Sequence, residues 1–355
     1  MASDPHHALP KQTTRMSLRL NTSDRMPSKW PAPRRPELWD GKQDSTPGIR
    51  LEFNLGTTYA MGLLYAYYFK HPTRRRDNNP LIIIHTGQDF RHKSMLGRIQ
   101  VLQSKNAAPV DVLFLPARDG DGKSSLARQT PRWQDYIDEF VYRLRRCASE
   151  DYGKIINPHR MNVLMGFSYG AVIVTEGLVQ MSIDFDKLPK AFSGLLGNTK
   201  SRAMINAVVL DSPPLNLLSF TRKKKTQRLG FMKMMWSRWI FHVNEDRNAE
   251  PAEDDRSIVR AAKVLGELTR DRVPVWVIKS LNDKALPSED ADEVFNLIQP
   301  YWPGLPARFQ PKSATAVEVS HTAFGYNFDT YPCVMREFLT YVDKTSEEIR
   351  PGFLS

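Results

Sequence analysis

Residues 161–170 read MNVLMGFSYG, an apolar run that stops at Gly166, Phe167, Ser168, Tyr169 and Gly170. A serine between two glycines is a weak signal alone, because a chain of this length carries such a match by chance about one time in ten. Its surroundings decide. Met161 to Met165 has the length and apolar character of a buried strand, and YGAVIVTEGLVQ runs on without proline for more than three helical turns. The local reading is strand, tight turn, helix. Ser168 then projects its hydroxyl at the carboxyl end of a sheet, with the backbone N–H of Tyr169 at a helix N-terminus, where donors point at developing negative charge.

Working outward, the same alternation recurs. Ile49 to Leu55 and Ala60 to Phe69 read as opening strands around a turn at Gly56 and Thr57; Leu81 to His85, Val110 to Leu115, Ala207 to Leu210, Val273 to Lys279 and Ala316 to Val319 read as further strands. Helical stretches fall between them, at Ser94 to Ser104, through Ile258, Ala261, Leu265 and Leu268, at Ser288 to Ile298 and at Tyr331 to Val342. Trp133, Ile137, Phe140, Leu144 and Cys147 step by four, three, four and three, which sets them along one helix face. Strands alternating with helices predict an α/β protein with a largely parallel sheet.

A serine nucleophile needs a base and an acid that orients the base. Asp283, in SLNDKALP, lies just past one strand, and His321, in SHTAFGY, occupies the corresponding loop after the next. Asp211, in VVLDSPP, also follows a strand and is the alternative acid. The chain order is serine, acid, histidine.

These motifs together resemble the α/β-hydrolase superfamily over roughly residues 50–345. GFSYG resembles its nucleophile elbow, SLNDKALP its acid loop, VSHTAF its histidine loop, IIIHTG the segment after its third strand and ARDGDGKS the loop after its fourth. The resemblance implies a mostly parallel sheet of about eight strands with helices on both faces and a helical cap insertion. It implies that Ser168 attacks an acyl carbon, His321 moves the proton and Asp283 steadies the imidazolium. The oxyanion would be held by the backbone of Tyr169 and of Gly87 or Thr86; HTG stands where the superfamily usually reads HG, so the second donor is open, with Gly87 preferred. His85 is expected to brace that loop by hydrogen bonding. The implied activity is cleavage of a carboxylic ester, thioester or amide. An acyltransferase using the same triad, or a non-catalytic ligand- or membrane-binding protein on the same fold, are the alternatives.

Composition sets off a basic, proline-rich, aperiodic arm over 1–48 and a tail over 346–355, and the resemblance divides the rest into a catalytic domain over 49–212 and 254–345 and a cap or lid over 213–253. Trp30 and Trp39 are the residues able to pin the arm to the body. Within the insertion Phe231, Met234, Met235, Arg238 and Phe241 recur at helical spacing, and Trp236 and Trp239 widen the apolar surface. Met234, Met235, Trp236 and Trp239 are therefore candidates to line a pocket for an apolar acyl substrate.

Charge and composition narrow the partners. With 50 Lys and Arg against 39 Asp and Glu the formal net charge is +11. Arg222, Lys223, Lys224 and Lys225 precede the apolar stretch of the insertion, an arrangement suited to an anionic membrane surface. No nucleic-acid-binding module is recognisable. The two cysteines, Cys147 and Cys333, sit in helical segments, and His71, His92, His159 and His242 share no ligand spacing, so neither a disulfide framework nor a metal or other cofactor is expected. Gly120 and Gly122 fit the hydrolase loop better than a phosphate cradle. No apolar run reaches the roughly 18 residues of a membrane span. The first residues lack an apolar signal-peptide centre, which predicts a cytoplasmic protein; their basic, Ser- and Thr-containing character leaves an organellar presequence open.

Overall fold

The computed structural model describes residues 38–39, 48–56, 61–71, 79–86, 95, 98–99, 102–103, 108–117, 133–183, 205–215, 274–283, 286–298, 315–317 and 335–342. All belong to one compact unit, Pro36–Ser355. The strands are β1 (Leu38–Trp39), β2 (Gly48–Gly56), β3 (Met61–Phe69), β4 (Leu81–His85), β5 (Asp111–Leu115), β6 (Asn162–Phe167), β7 (Ala207–Asp211), β8 (Val275–Ser280) and β9 (Thr315–Val317). The helices are α1 (Trp133–Cys147), α2 (Tyr169–Ile183), α3 (Glu289–Ile298) and α4 (335–342).

The nine strands form one sheet in the order β1-β2-β3-β5-β4-β6-β7-β8-β9. Strands β5, β4, β6, β7, β8 and β9 are mutually parallel, while β1, β2 and β3 join antiparallel. The opening pair is a hairpin in register from Gly48 opposite Phe69 to Gly56 opposite Met61. The expected sheet of about eight strands is thus present, extended at one edge by the two-residue β1. Strand β6 runs two residues beyond the apolar segment read from sequence and ends at Phe167, directly before Ser168.

The parallel strands are continuous apolar runs because both of their faces are covered. On one face Leu81, Ile83, Leu113, Leu115, Leu164, Val208, Leu210, Val275 and Val277 pack with α1, α2 and α3. On the other, Ile82, Ile84, Val112, Phe114, Val163, Met165, Phe167, Val209, Trp276 and Ile278 pack with Met95, Ile99, Leu102 and α4. Helix α2 is buried almost all round, as its near-absence of charge requires. Thr175 satisfies its buried hydroxyl on the carbonyls of Ala171 and Val172. Among the described residues no helix is long and apolar enough to cross a membrane.

The sheet has a topological switch between β4 and β6: the connection from β4 runs to β5 on one side and that from β6 to β7 on the other, the arrangement that opens a crevice at the carboxyl ends of the two strands. The opposite, amino-terminal end of the sheet is closed by a polar cluster. Arg160, 5% exposed, pairs with Asp111 at 2.8 Å and donates to the carbonyl of Asn79 through Nε at 3.0 Å and Nη2 at 2.6 Å. Asp111 also accepts from the Tyr68 hydroxyl at 2.8 Å and the His71 N–H at 2.9 Å. Burial pushes the Asp111 carboxyl up, but these hydrogen bonds and the Arg160 charge outweigh it and hold it below its ordinary value.

A buried ion pair of this kind is costly to halve, because the survivor keeps its desolvation penalty. We predict that Arg160→Met lowers the free energy of unfolding by about 3–5 kcal/mol in denaturant titration, and that adding Asp111→Asn recovers part of the loss. A loss under about 1 kcal/mol, the size of a surface pair, would show that the cluster does not hold this end of the sheet.

Candidate active site

Ser168 joins β6 to α2 with φ of 51°, in the left-handed region that costs a non-glycine residue about 1–2 kcal/mol. Three backbone contacts hold it there. Its N–H donates to the carbonyl of Asp211 on the neighbouring β7 at 2.9 Å, its own carbonyl accepts from the Ala171 N–H at 2.9 Å, and Phe167 before it lies in register with Asp211. The first glycine of the motif is required by space. A Cβ on Gly166 would stand 2.6 Å from Ala171 Cα and 2.8 Å from its nitrogen, so only glycine lets α2 turn back this closely on β6. Tyr169 is the first residue of α2, and its backbone N–H sits at the helix N-terminus beside Ser168.

Across the crevice, His85 ends β4 in register with Gly166. Its Nδ1 lies 2.8 Å from the carbonyl of Thr86; a carbonyl only accepts, so Nδ1 carries the proton. The ring meets Phe140 of α1 edge-on at 5.1 Å, and Phe140 reaches this position over Gly177 of α2, where a Cβ would stand 2.7 Å from the ring. Burial, reinforced by the charge of Arg143, lowers His85 to about 3 from its ordinary 6.5 and keeps it neutral. Nε2 of His85 and Oγ1 of Thr86 are buried with no hydrogen-bond partner among the described residues. His85 thus ties down the first residue of the loop that continues into Gly87.

Asp211 and Asp283 both reach the carboxyl end of the sheet. Asp211 closes β7, is fully buried and accepts from the Ser212 hydroxyl at 3.1 Å. Asp283 lies in the turn after β8 and is 6% exposed; its N–H donates to the Ser280 carbonyl at 3.3 Å and its Oδ1 accepts from the Leu286 N–H at 2.9 Å. His321 follows β9, whose Val317 is in register with Ser280, but His321 lies outside the described residues. Gly87, Met234, Met235, Trp236, Trp239, Arg222, Lys223, Lys224 and Lys225 lie outside them as well. The described structure therefore brings together Ser168, Tyr169, His85, Thr86, Asp211 and Asp283 at one end of adjoining strands.

Three contributors are not evident from sequence. Arg143 is 1% exposed and donates through Nη1 to the carbonyls of Tyr65 at 3.0 Å and Pro116 at 2.7 Å, tying the middle of β3 to the residue that follows β5. Its place three residues after Phe140 was the available signal, since it borders the buried stripe of α1. Ser212 and Ser280, 4% and 1% exposed, share a 2.8 Å hydroxyl contact between β7 and β8. Cys147 is a free thiol that burial pushes up to about 12, too weakly acidic to act as a nucleophile.

Two outcomes follow from this geometry. Gly166→Ala is expected to destabilise the fold by several kcal/mol or abolish soluble expression, since its new methyl meets backbone rather than a movable side chain; a Tm within about 2 °C of wild type would contradict the close approach. His85 binds a proton in the unfolded chain near pH 6.5 and refuses it in the folded chain until about pH 3. Stability present above pH 6.5 is therefore lost as pH falls toward 3, at up to about 1.4 kcal/mol per pH unit. His85→Asn should flatten that slope between pH 6.5 and 4 in urea titrations; an unchanged slope would place the proton uptake elsewhere.

No protein-family model and no curated protein matches the chain. Solved structures do. The chain is similar to an esterase from Pyrococcus furiosus, 16% identical, with 89% of this chain and 98% of that one covered and a TM-score of 0.50. It is also similar to a Rhizomucor miehei esterase at 13% identity, covering 85% and 84% of the two chains with a TM-score of 0.49. A proline iminopeptidase from Mycobacterium smegmatis is 12% identical, with 83% and 99% covered and a TM-score of 0.48. The strand order, the left-handed serine between β6 and α2, and the likeness to the Pyrococcus enzyme agree: the chain has the α/β-hydrolase fold.

Proposed function

We propose that this protein is a serine hydrolase that cleaves a carboxylic ester through an acyl-enzyme on Ser168. The observation that carries the reading is the backbone of Ser168, held left-handed at the tip of β6 beside the switch-point crevice. A serine bears that strain where its hydroxyl must stand clear of both strand and helix. The esterase name of the Pyrococcus neighbour supports the reaction class.

In this reading Ser168 Oγ attacks the acyl carbon while His321 takes its proton. The tetrahedral oxyanion is held by the N–H of Tyr169 and that of Gly87 or Thr86, and His321 returns the proton to the departing alkoxide. Water, deprotonated by the same histidine, then releases the acid and restores Ser168. Thioesters and amides pass through the same acyl-enzyme. Asp283 is the preferred partner of His321, because Asp211 already serves the elbow through its carbonyl and Ser212 through its carboxylate. The acyl pocket is assigned to the insertion, with Met234, Met235, Trp236 and Trp239 lining it.

A fluorophosphonate probe should label the wild-type protein at Ser168 and leave Ser168→Ala unlabelled. Hydrolysis of a short-chain p-nitrophenyl ester should fall by ~10⁴-fold or more in Ser168→Ala and His321→Ala. Absence of labelling and turnover in folded wild-type protein would falsify the proposal. A larger loss in Asp211→Asn than in Asp283→Asn would move the acid to Asp211.

A further inference from the structure

We infer that Ser212 and Ser280 form a hydroxyl relay that sets the acid loop against the nucleophile elbow, making both serines positioning residues for the reaction at Ser168. The inference rests on the proposed hydrolase function. Its basis is a set of hydrogen bonds, joined through Asp211, Ser212 and Ser280, across the carboxyl ends of three strands. The Ser168 N–H donates to the Asp211 carbonyl at 2.9 Å, and the next residue, Ser212, donates its own N–H to the Ile278 carbonyl of β8 at 2.8 Å. The Ser212 hydroxyl donates to Asp211 Oδ1 at 3.1 Å and lies 2.8 Å from Ser280 Oγ. Ser280 in turn accepts the Asp283 N–H on its carbonyl at 3.3 Å.

The direction of the relay follows from proton count. A hydroxyl has one proton to donate, and Ser212 spends it on the Asp211 carboxylate, so Ser280 must be the donor in the contact between the two serines. The chain Ser280 to Ser212 to Asp211 ends on a carboxyl oxygen that accepts. Each bond therefore polarises the next, in surroundings where Asp211 is fully buried and the serines nearly so.

Backbone strain is the second, independent observation. Ser212 has φ of 53°, matching the 51° of Ser168 on the adjacent strand end. Glycine occupies such a conformation without steric cost, so a serine there trades backbone ease for a hydroxyl. Three residues on, the Leu215 N–H donates to Asp290 Oδ2 of α3 at 2.8 Å, fixing the chain as it leaves β7. The turn at Ser212 is thus held from both sides, and what the hydroxyl adds is the link from the elbow to the loop bearing Asp283.

The test uses the full-length protein with a short-chain p-nitrophenyl ester, comparing wild type, Ser212→Gly, Ser280→Ala and the double variant. Ser212→Gly removes the hydroxyl while relieving the left-handed strain, so loss of activity is separated from loss of folding. Each single variant should lower kcat roughly 10- to 100-fold with little change in KM. The acidic limb of the kcat/KM profile should move to lower pH, because a loosened acid stabilises the imidazolium less. The double variant should cost no more than the worse single one, as expected when both remove the same relay. Wild-type kcat and pH limb in Ser212→Gly, whatever its Tm, overturn this inference alone. A folded wild type that neither turns over the ester nor takes the fluorophosphonate overturns it together with the function on which it rests.

Discussion

The close approach of α2 to β6 at Gly166 is the constraint on which the site depends. With no side chain at that position the helix starts within one residue of the strand's end, and the residue between them must adopt a left-handed backbone. The β7 carbonyl that receives the Ser168 N–H then fixes the elbow to the sheet rather than to its own loop. Helix α2 can come so near because it carries almost no charge and its Gly177 admits Phe140, which in turn backs His85. Packing on one face of the sheet thus sets the geometry at its end.

The two ends of the sheet are closed by different chemistry. At the amino-terminal end an arginine, a carboxylate and a phenol form a charge-assisted cluster that ties the starts of β4, β5 and β6 together. The carboxyl end relies on two serine hydroxyls, backbone amides, a neutral imidazole and the buried carboxyl groups of Asp211 and Asp283. Arg143, a cation near this end, is turned onto main-chain carbonyls.

Much of this was legible in the sequence. Apolar runs of strand length gave β4 to β8 within a few residues, because strands buried on both faces leave no room for polar interruption. The glycines around Ser168 signalled the elbow for the steric reason the structure displays. The contributors that escaped notice did so for physical reasons. Arg143 carries a charge that composition assigns to solvent, and carbonyls converging on it from Tyr65, Pro116 and Glu139 help make its burial tolerable. Ser212 and Ser280 are distant in sequence and meet only through the pairing of β7 with β8. Local patterns cannot report a contact that tertiary register creates.

The ends of the sheet order also have a bearing on how the protein behaves in company. An open sheet presents unpaired N–H and C=O groups along its outer strands, and a long flat edge is a template for pairing with another molecule. Here the outermost strands are β1, two residues long, and β9, three residues long in the described structure. Within the described residues each offers a second sheet few rungs, and the long hairpin strand β2 lies behind β1 at Gly48 and Ile49. Short edges of this kind oppose edge-to-edge zipping in a fold whose middle is built from uninterrupted runs of valine, isoleucine and leucine.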